Sequence, residues 1–112
     1  MVAAASPQRG DVFLVGLDPA RGQEIKKTRP CVVVSPDELN AHLRTVIVAP
    51  MTTGGHAYPF RIRCRFQRKG GFVVLDQLRT VDTHRLVRRL GTLSPTVMTQ
   101  VLGRLQEMFA AA

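Results

Sequence analysis

Three arginines stand at alternate positions of "RIRCRF", Arg61, Arg63 and Arg65, with Arg68 and Lys69 close behind. Phe60, Ile62, Cys64 and Phe66 take the other positions, and alternation with period two is the pattern of a strand with one buried face. The three guanidinium groups therefore share the outer face. Like charges in a row repel, so such a face is either left in water or offered to something anionic. Arginine's planar fork suits bidentate contact with phosphate, which makes nucleic acid the natural candidate. Groups for metal chemistry are sparse by comparison. Cys31 and Cys64 lie in apolar runs, no C-x-x-C occurs, and His42, His56 and His84 stand apart from both thiols. Neither a metal site nor another cofactor is expected.

The balance of charge over the whole chain points the same way. Lys plus Arg is 16 against 8 for Asp plus Glu, a formal net charge of +8, and three of the sixteen cations are lysines. A bias toward arginine codons is the competing explanation of that excess. A length of 112 residues suits one domain. We expect residues 9–112 to form it, after a flexible N-terminal tail over residues 1–8. The thiols read as reduced and the chain as cytosolic. The start "MVAAASPQRG" lacks the basic region and long apolar stretch of a signal peptide, and nothing approaches a membrane span.

The elements that must position these groups follow from periodicity and punctuation. "DVFLVGL" places Phe13, Val15 and Leu17 on one face of a first strand, and "DPARGQE" supplies a loop. A second strand is expected at "CVVVS", after a loop carrying Lys26, Lys27, Thr28 and Arg29. A short helix near 36–43 should start at "SPDEL", with Ser35 as N-cap, Pro36 at the first position and Glu38 completing an S-x-x-E box. "TVIVAPM" reads as a third strand ended by Pro50 and the "TTGGH" loop. The arginine strand follows. "FVVLDQ" is apolar enough to be central, "LRTVD" continues past a bend, and "RLVRRLGTL", ambiguous with a helical turn, reads better as extended. Ser94 and Pro95 open a C-terminal helix near 95–109, in which Val97, Met98, Val101, Leu102, Leu105, Met108 and Phe109 fall within an arc of roughly 140°. The fold class is mainly β (α+β): a small SH3-like antiparallel barrel with two helical additions.

Taken together, "RGDVFLVGLDPARGQEIKKTRPCVVVS", "IVAPMTT", "YPF", "LDQLRTVDTHRL" and "GTL" resemble the MazF/PemK family of toxin endoribonucleases, in order and spacing, over residues 9–109. The resemblance implies a CcdB-like barrel that forms a homodimer, with single-stranded RNA in a groove across the dimer interface. It implies metal-independent, sequence-specific cleavage to 2′,3′-cyclic phosphate and 5′-hydroxyl ends, and a cognate antitoxin whose disordered acidic segment blocks the groove. The arginine of the R-P pair and the threonine of P-x-T carry catalysis in the family, which maps to Arg29 and Thr52. The run of arginines after "YPF" is a departure from what the family requires.

Chemistry makes sense of that carry-over. Attack by a ribose 2′-hydroxyl needs a base, an acid for the leaving oxygen, and positive charge or donors for the phosphorane between them; losing one such donor typically costs on the order of 10²- to 10³-fold in rate. Arg29, directed by the rigid Pro30, supplies the charge. Thr52 can donate its hydroxyl to a non-bridging oxygen from few rotamers, and Thr53 is placed to do the same. Glu24 either accepts the 2′-hydroxyl proton or orients Arg29 through an ion pair. Asp76 is the rival base, with pairing to Arg79 as its structural alternative. His56 is a third candidate by its ordinary pKa, otherwise a loop residue near RNA. A guanidinium holds its proton above a pKa of about 12, which makes Arg29 an awkward general acid.

Recognition is assigned to Thr53, His56, Arg61, Asp76, Gln77 and Arg79. Arg61, Arg63 and Arg65 would neutralise phosphates without reading bases, while Gln77, Asp76 and Thr53 carry groups able to read unstacked base edges. The same arginines suit an acidic antitoxin segment, or protect an edge strand from aggregation. Five Phe and one Tyr are too few for broad base stacking, so the recognition site should be short. Two other functions fit the fold: a gyrase inhibitor of the CcdB kind, and a non-catalytic RNA-binding barrel.

Overall fold

The computed structural model describes residues 5–112. Its strands are β1 (Asp11–Gly16), β2 (Thr28–Val33), β3 (Thr45–Thr53), β4 (Arg61–Phe66), β5 (Lys69–Val74), β6 (Arg79–Asp82) and β7 (Leu86–Thr92); α1 spans Asp37–His42 and α2 Pro95–Met108. Every pairing is antiparallel, in the order β4-β5-β3-β2-β1-β7, with β6 also on β3. The sheet curls without closing into a continuous ladder. Its ends meet through side chains instead: the Gln67 amide donates to the Leu90 carbonyl at 3.1 Å, and the Phe66 ring lies over Gly91, where a Cβ would come within 3.3 Å of it. The expected tail falls partly on residues 1–4, outside the described residues, while the Gln8 amide is already bonded to Asp11 Oδ2 at 2.9 Å.

Alternating apolar residues give the curled sheet two buried faces. Val12, Val32, Ala49, Met51, Ile62, Cys64 and Val73 pack under α2, against Met98 and Val101; Val15, Leu17, Cys31, Val33, Val46, Val48 and Val81 form the second cluster. Ser94 caps α2 by accepting from the Val97 amide at 3.2 Å. Phe109, placed by its helical angle on the buried arc, is 73% exposed because the helix ends at Met108.

Three boundaries differ from expectation. β2 begins at Thr28 rather than Cys31, so Arg29 is a strand residue opposite Val15. The polar run before Cys31 and the proline at its edge disguised an exposed strand start. β3 runs through Pro50 to Thr53, because Pro50 falls where the strand changes partner from β6 (through Val48) to β5 (from Met51), and no ladder on that edge needs its missing N–H. Ser35 does not cap α1. Its hydroxyl donates to Asn40 Oδ1 at 2.6 Å and accepts from the Ile47 amide at 3.0 Å, a buried polar knot that ties the helix to β3.

Gly71 fixes how closely β5 backs onto β3. A Cβ there would lie 1.6 Å from the Thr52 carbonyl oxygen, whereas one at Gly70 meets nothing within 4 Å. Gly71→Ala should therefore cost roughly 1–3 kcal/mol in urea denaturation, as overpacking against backbone does, while Gly70→Ala stays within about 0.5 kcal/mol of wild type, as exposed substitutions usually do.

Candidate active site

The β2–β3 ladder pairs Cys31 with Pro50, Val32 with Ala49 and Val33 with Val48. Continued two residues outward, that register sets Arg29 against Thr52. Both line one cleft of about 820 Å³, whose walls are the β1–β2 loop with Glu24, the start of β2, the end of β3 with Thr53, and the β4–β5 hairpin with Gln67 and Lys69. Among its lining residues Lys26, Arg29 and Lys69 are cations and Glu24 is the one acid, so the cleft carries 3 − 1 = +2. Lys26, Lys69 and Gln67 are cleft residues that sequence reasoning did not assign. Charge in a hairpin that folds back toward the loop was the available signal, and only the topology gave it a destination.

The Arg29 Nε donates to the Lys26 carbonyl at 3.2 Å, which steers the side chain back along the loop, and Arg29 is exposed. Thr52 is half-buried, and its hydroxyl donates to the Gly54 carbonyl at 3.3 Å. The Glu24 carboxylate caps its own turn by accepting from the Arg21 amide at 2.5 Å. Among the described residues it forms no ion pair with Arg29. Across the sheet, Thr52, Phe72 and Arg63 are successive register partners, which places them on one face; the Arg63 guanidinium sits 5.2 Å from the centre of the Phe72 ring. A further hollow of about 630 Å³ is bordered by Arg63, Arg65 and Phe72.

The remaining assigned residues separate from this group. Arg61 is held by Asp76 through two bonds of 2.9 Å, Nε to Oδ1 and Nη2 to Oδ2, and lies 4.7 Å from the Tyr58 ring centre. The acid's partner is thus Arg61 and not Arg79, whose Nη1 donates to the Leu17 carbonyl at 2.9 Å. The hydrogen bonds from Arg61 hold the Asp76 carboxyl below its ordinary range, against the opposing effect of burial, which makes it a weaker base than a free carboxylate. Gln77 spends both ends of its amide on the β1–β2 loop, accepting from the Ile25 amide at 2.6 Å and donating to the Gln23 carbonyl at 3.3 Å. With Asp76 and Arg79 it borders a neighbouring cleft of about 510 Å³. His56 is exposed and meets the Tyr58 ring edge-on, 6.3 Å between centres. Burial pushes the Cys31 thiol up to about 12 and raises that of Cys64, so neither is a ready nucleophile. Among the described residues no three His, Cys, Asp or Glu side chains converge as a metal-binding group.

The fold is an open antiparallel barrel with a basic cleft at the end of its β2–β3 ladder. Comparison makes the class specific. The family model described as PemK-like, MazF-like toxin of type II toxin-antitoxin system matches residues 8–109, and the chain belongs to that family. Endoribonuclease PemK of Escherichia coli is 36% identical over 113 aligned positions, covering 88% of this chain and 78% of that one. Endoribonuclease toxin ChpB of Escherichia coli strain K12 is 36% identical over 113, covering 95% and 97%. The crystal structure of MazF (Form-I) from Deinococcus radiodurans has a TM-score of 0.82 at 24% identity, covering 94% of this chain and 97% of that one. An endoribonuclease in complex with its cognate antitoxin from Mycobacterial species has a TM-score of 0.79 at 22% identity, covering 96% and 100%. At such identities the solved structures establish the fold.

The Arg61–Asp76 pair generates a pH signature. A carboxyl whose folded pKa lies below its ordinary 3.8 adds stability that is complete above that value and is lost as pH falls through the depressed one. Wild type should melt above Asp76→Asn at pH 7, and the gap should shrink as the pH is lowered below about 4 in thermal melts.

Proposed function

We propose that this chain is the toxin of a toxin–antitoxin pair, a metal-independent endoribonuclease that cuts single-stranded RNA within a short sequence. The observation that carries the reading is the meeting of Arg29 and Thr52 in one cationic cleft, joined to family membership. In the reaction the 2′-oxygen bonds to the adjacent phosphorus as the bond to the 5′-oxygen breaks, leaving a 2′,3′-cyclic phosphate and a 5′-hydroxyl. Arg29 stabilises the charge gathering on the phosphorane, and Thr52 donates its hydroxyl to a non-bridging oxygen. Glu24 takes the 2′-hydroxyl proton; the leaving oxygen receives its proton from water, since a guanidinium gives one up too reluctantly. Glu24 is preferred to Asp76 because it lines the same cleft as Arg29 and, among the described residues, its carboxylate pairs with no guanidinium.

Thr53 and the cleft cations Lys26 and Lys69 bind RNA beside the reacting phosphate. Arg63 and Arg65, exposed on the face that Thr52 shares with Phe72, extend the path. The molecule acts as a homodimer in the cytoplasm, where its substrate is found and where its free thiols Cys31 and Cys64 stay reduced. The cognate antitoxin covers the same basic surface with an acidic segment. The relative solved with its antitoxin supports that assignment. A gyrase-binding reading does not call for Arg29 and Thr52 in a common cleft.

Purified protein in EDTA should cleave single-stranded RNA to cyclic-phosphate ends, read by end-group analysis. Arg29→Ala and Thr52→Ala should each lower the rate by on the order of 10²- to 10³-fold with the melting curve retained; undiminished cleavage by either variant would remove it from the reaction. In salt titrations of RNA binding by a cleavage-dead variant, Arg63→Ala and Arg65→Ala should each reduce the logarithmic slope by about 0.7, the value for one phosphate of a single strand. Arg61→Ala should leave the slope nearly unchanged.

A further inference from the structure

The segment Gln23–Ile25 borders both the 820 Å³ cleft with Arg29 and Thr52 and the 510 Å³ cleft with Asp76 and Arg79, so it is the partition between them. At its stem the β1–β2 loop is tied firmly. Arg79 Nη1 reaches the Leu17 carbonyl at 2.9 Å, Arg85 Nη1 reaches the Gly16 carbonyl at 3.1 Å, and the Lys27 amide donates to Asp18 Oδ1 at 2.9 Å. Farther out the ties thin. Within the Arg21–Glu24 turn the Glu24 amide donates to the Arg21 carbonyl and the Glu24 carboxylate accepts from the Arg21 amide. Among the described residues, the hydrogen bonds that reach Gln23–Ile25 from elsewhere in the fold both come from Gln77, across 54 and 52 residues of sequence. The Ile25 side chain also packs, half-buried, against the second hydrophobic cluster.

We propose that Gln77 is a positioning residue, a latch whose amide holds the Gln23–Ile25 partition and thereby sets Glu24 at the cleft. This rests on the endoribonuclease reading for its effect on rate, though not for the latch itself. The chemistry suits this side chain. The Ile25 N–H needs an acceptor and the Gln23 carbonyl a donor, and a primary amide presents one of each at a fixed separation. Glutamate would keep the acceptor and lose the donor. Asparagine, one methylene shorter, would fall short. The base of the latch is rigid. Gln77 ends a 3₁₀ turn (Leu75–Gln77) in which Leu75 is 1% exposed and Asp76 is clamped by the bidentate Arg61. The run Arg61, Asp76, Gln77 thus connects the arginine strand to the loop on the far side of the site. An amide engaged at both ends is a poor reader of bases, which would have to displace the loop to reach it.

The test measures amide hydrogen exchange by NMR on the full chain without RNA, alongside RNA cleavage kinetics. In Gln77→Ala the Ile25 amide should exchange about 10- to 100-fold faster while amides of the β2–β3 ladder are unchanged, and Gln77→Glu should restore part of the protection. Cleavage by Gln77→Ala should fall about tenfold in kcat. In a Glu24→Gln background the same change should cost less than twofold, because two residues acting as a unit do not add. Unchanged exchange at Ile25 overturns the latch. Faster exchange with undiminished cleavage overturns the positioning role, and a changed cleavage sequence without a change in exchange would make Gln77 a base reader instead. If the wild type cuts no RNA, the functional reading falls, and the exchange result still decides whether the latch exists.

Discussion

The site depends on the antiparallel register of β2 against β3. Cys31, Val32, Val33, Val48 and Ala49 in that ladder are fully buried, and a slip by one residue would turn each of them to the wrong side of its strand. The hydrophobic pattern therefore holds the register, and the register in turn delivers Arg29 and Thr52, two residues beyond its last pair, to the same end of the sheet. A buried apolar constraint thus places an exposed polar pair. Gly71 supplies the matching constraint on the other edge of β3, where the absence of a side chain lets β5 lie against the Thr52 backbone.

The arginines divide into two kinds that composition cannot tell apart. Arg61 is spent on Asp76, Arg79 on the Leu17 carbonyl, Arg85 on Gly16, and Arg89 on Asp11 at 3.2 Å. These are structural cations, and two of them, Arg79 and Arg85, hold the β1–β2 loop at its stem. Arg29 remains exposed at the cleft, and Arg63 and Arg65 remain exposed on the β4 face opposite Phe66, beside the 630 Å³ hollow. The count of sixteen cations therefore overstates the number of side chains free to grip a polyanion. The alternating strand is a case in point: its three arginines look equivalent in sequence, and a single carboxylate fifteen residues later takes the first of them out of the set.

Most of the architecture was legible because it rests on local signals. Period two marked the arginine strand, Ser94 and Pro95 opened the last helix where expected, and the extended reading of "RLVRRLGTL" became β7. The errors share a cause. Thr28, Arg29 and Pro30 read as loop because an exposed strand start has no buried face to show, and Pro50 read as a terminator because a change of strand partner cannot be seen from within one strand. Ser35 matched a capping box, yet its hydroxyl found better partners in Asn40 and the Ile47 amide. Sequence shows Gln77 and Asp76 as groups able to read base edges, and does not show the bonds those groups make across the fold with Gln23, Ile25 and Arg61.

By itself, the order of residues determined the antiparallel β-rich fold with its two helices, and, through the motifs around Arg29 and Thr52, which side chains are candidates for chemistry. Those are properties of short windows, where periodicity, turn residues and spacing are read directly. Which cations are free, which carboxylate is clamped and what holds the loop beside the cleft were decided only by tertiary structure. Each of those outcomes is a pairing between groups 15 to 78 residues apart in the chain, and a donor's partner is set by the geometry that folding imposes, not by the identity of its neighbours in sequence.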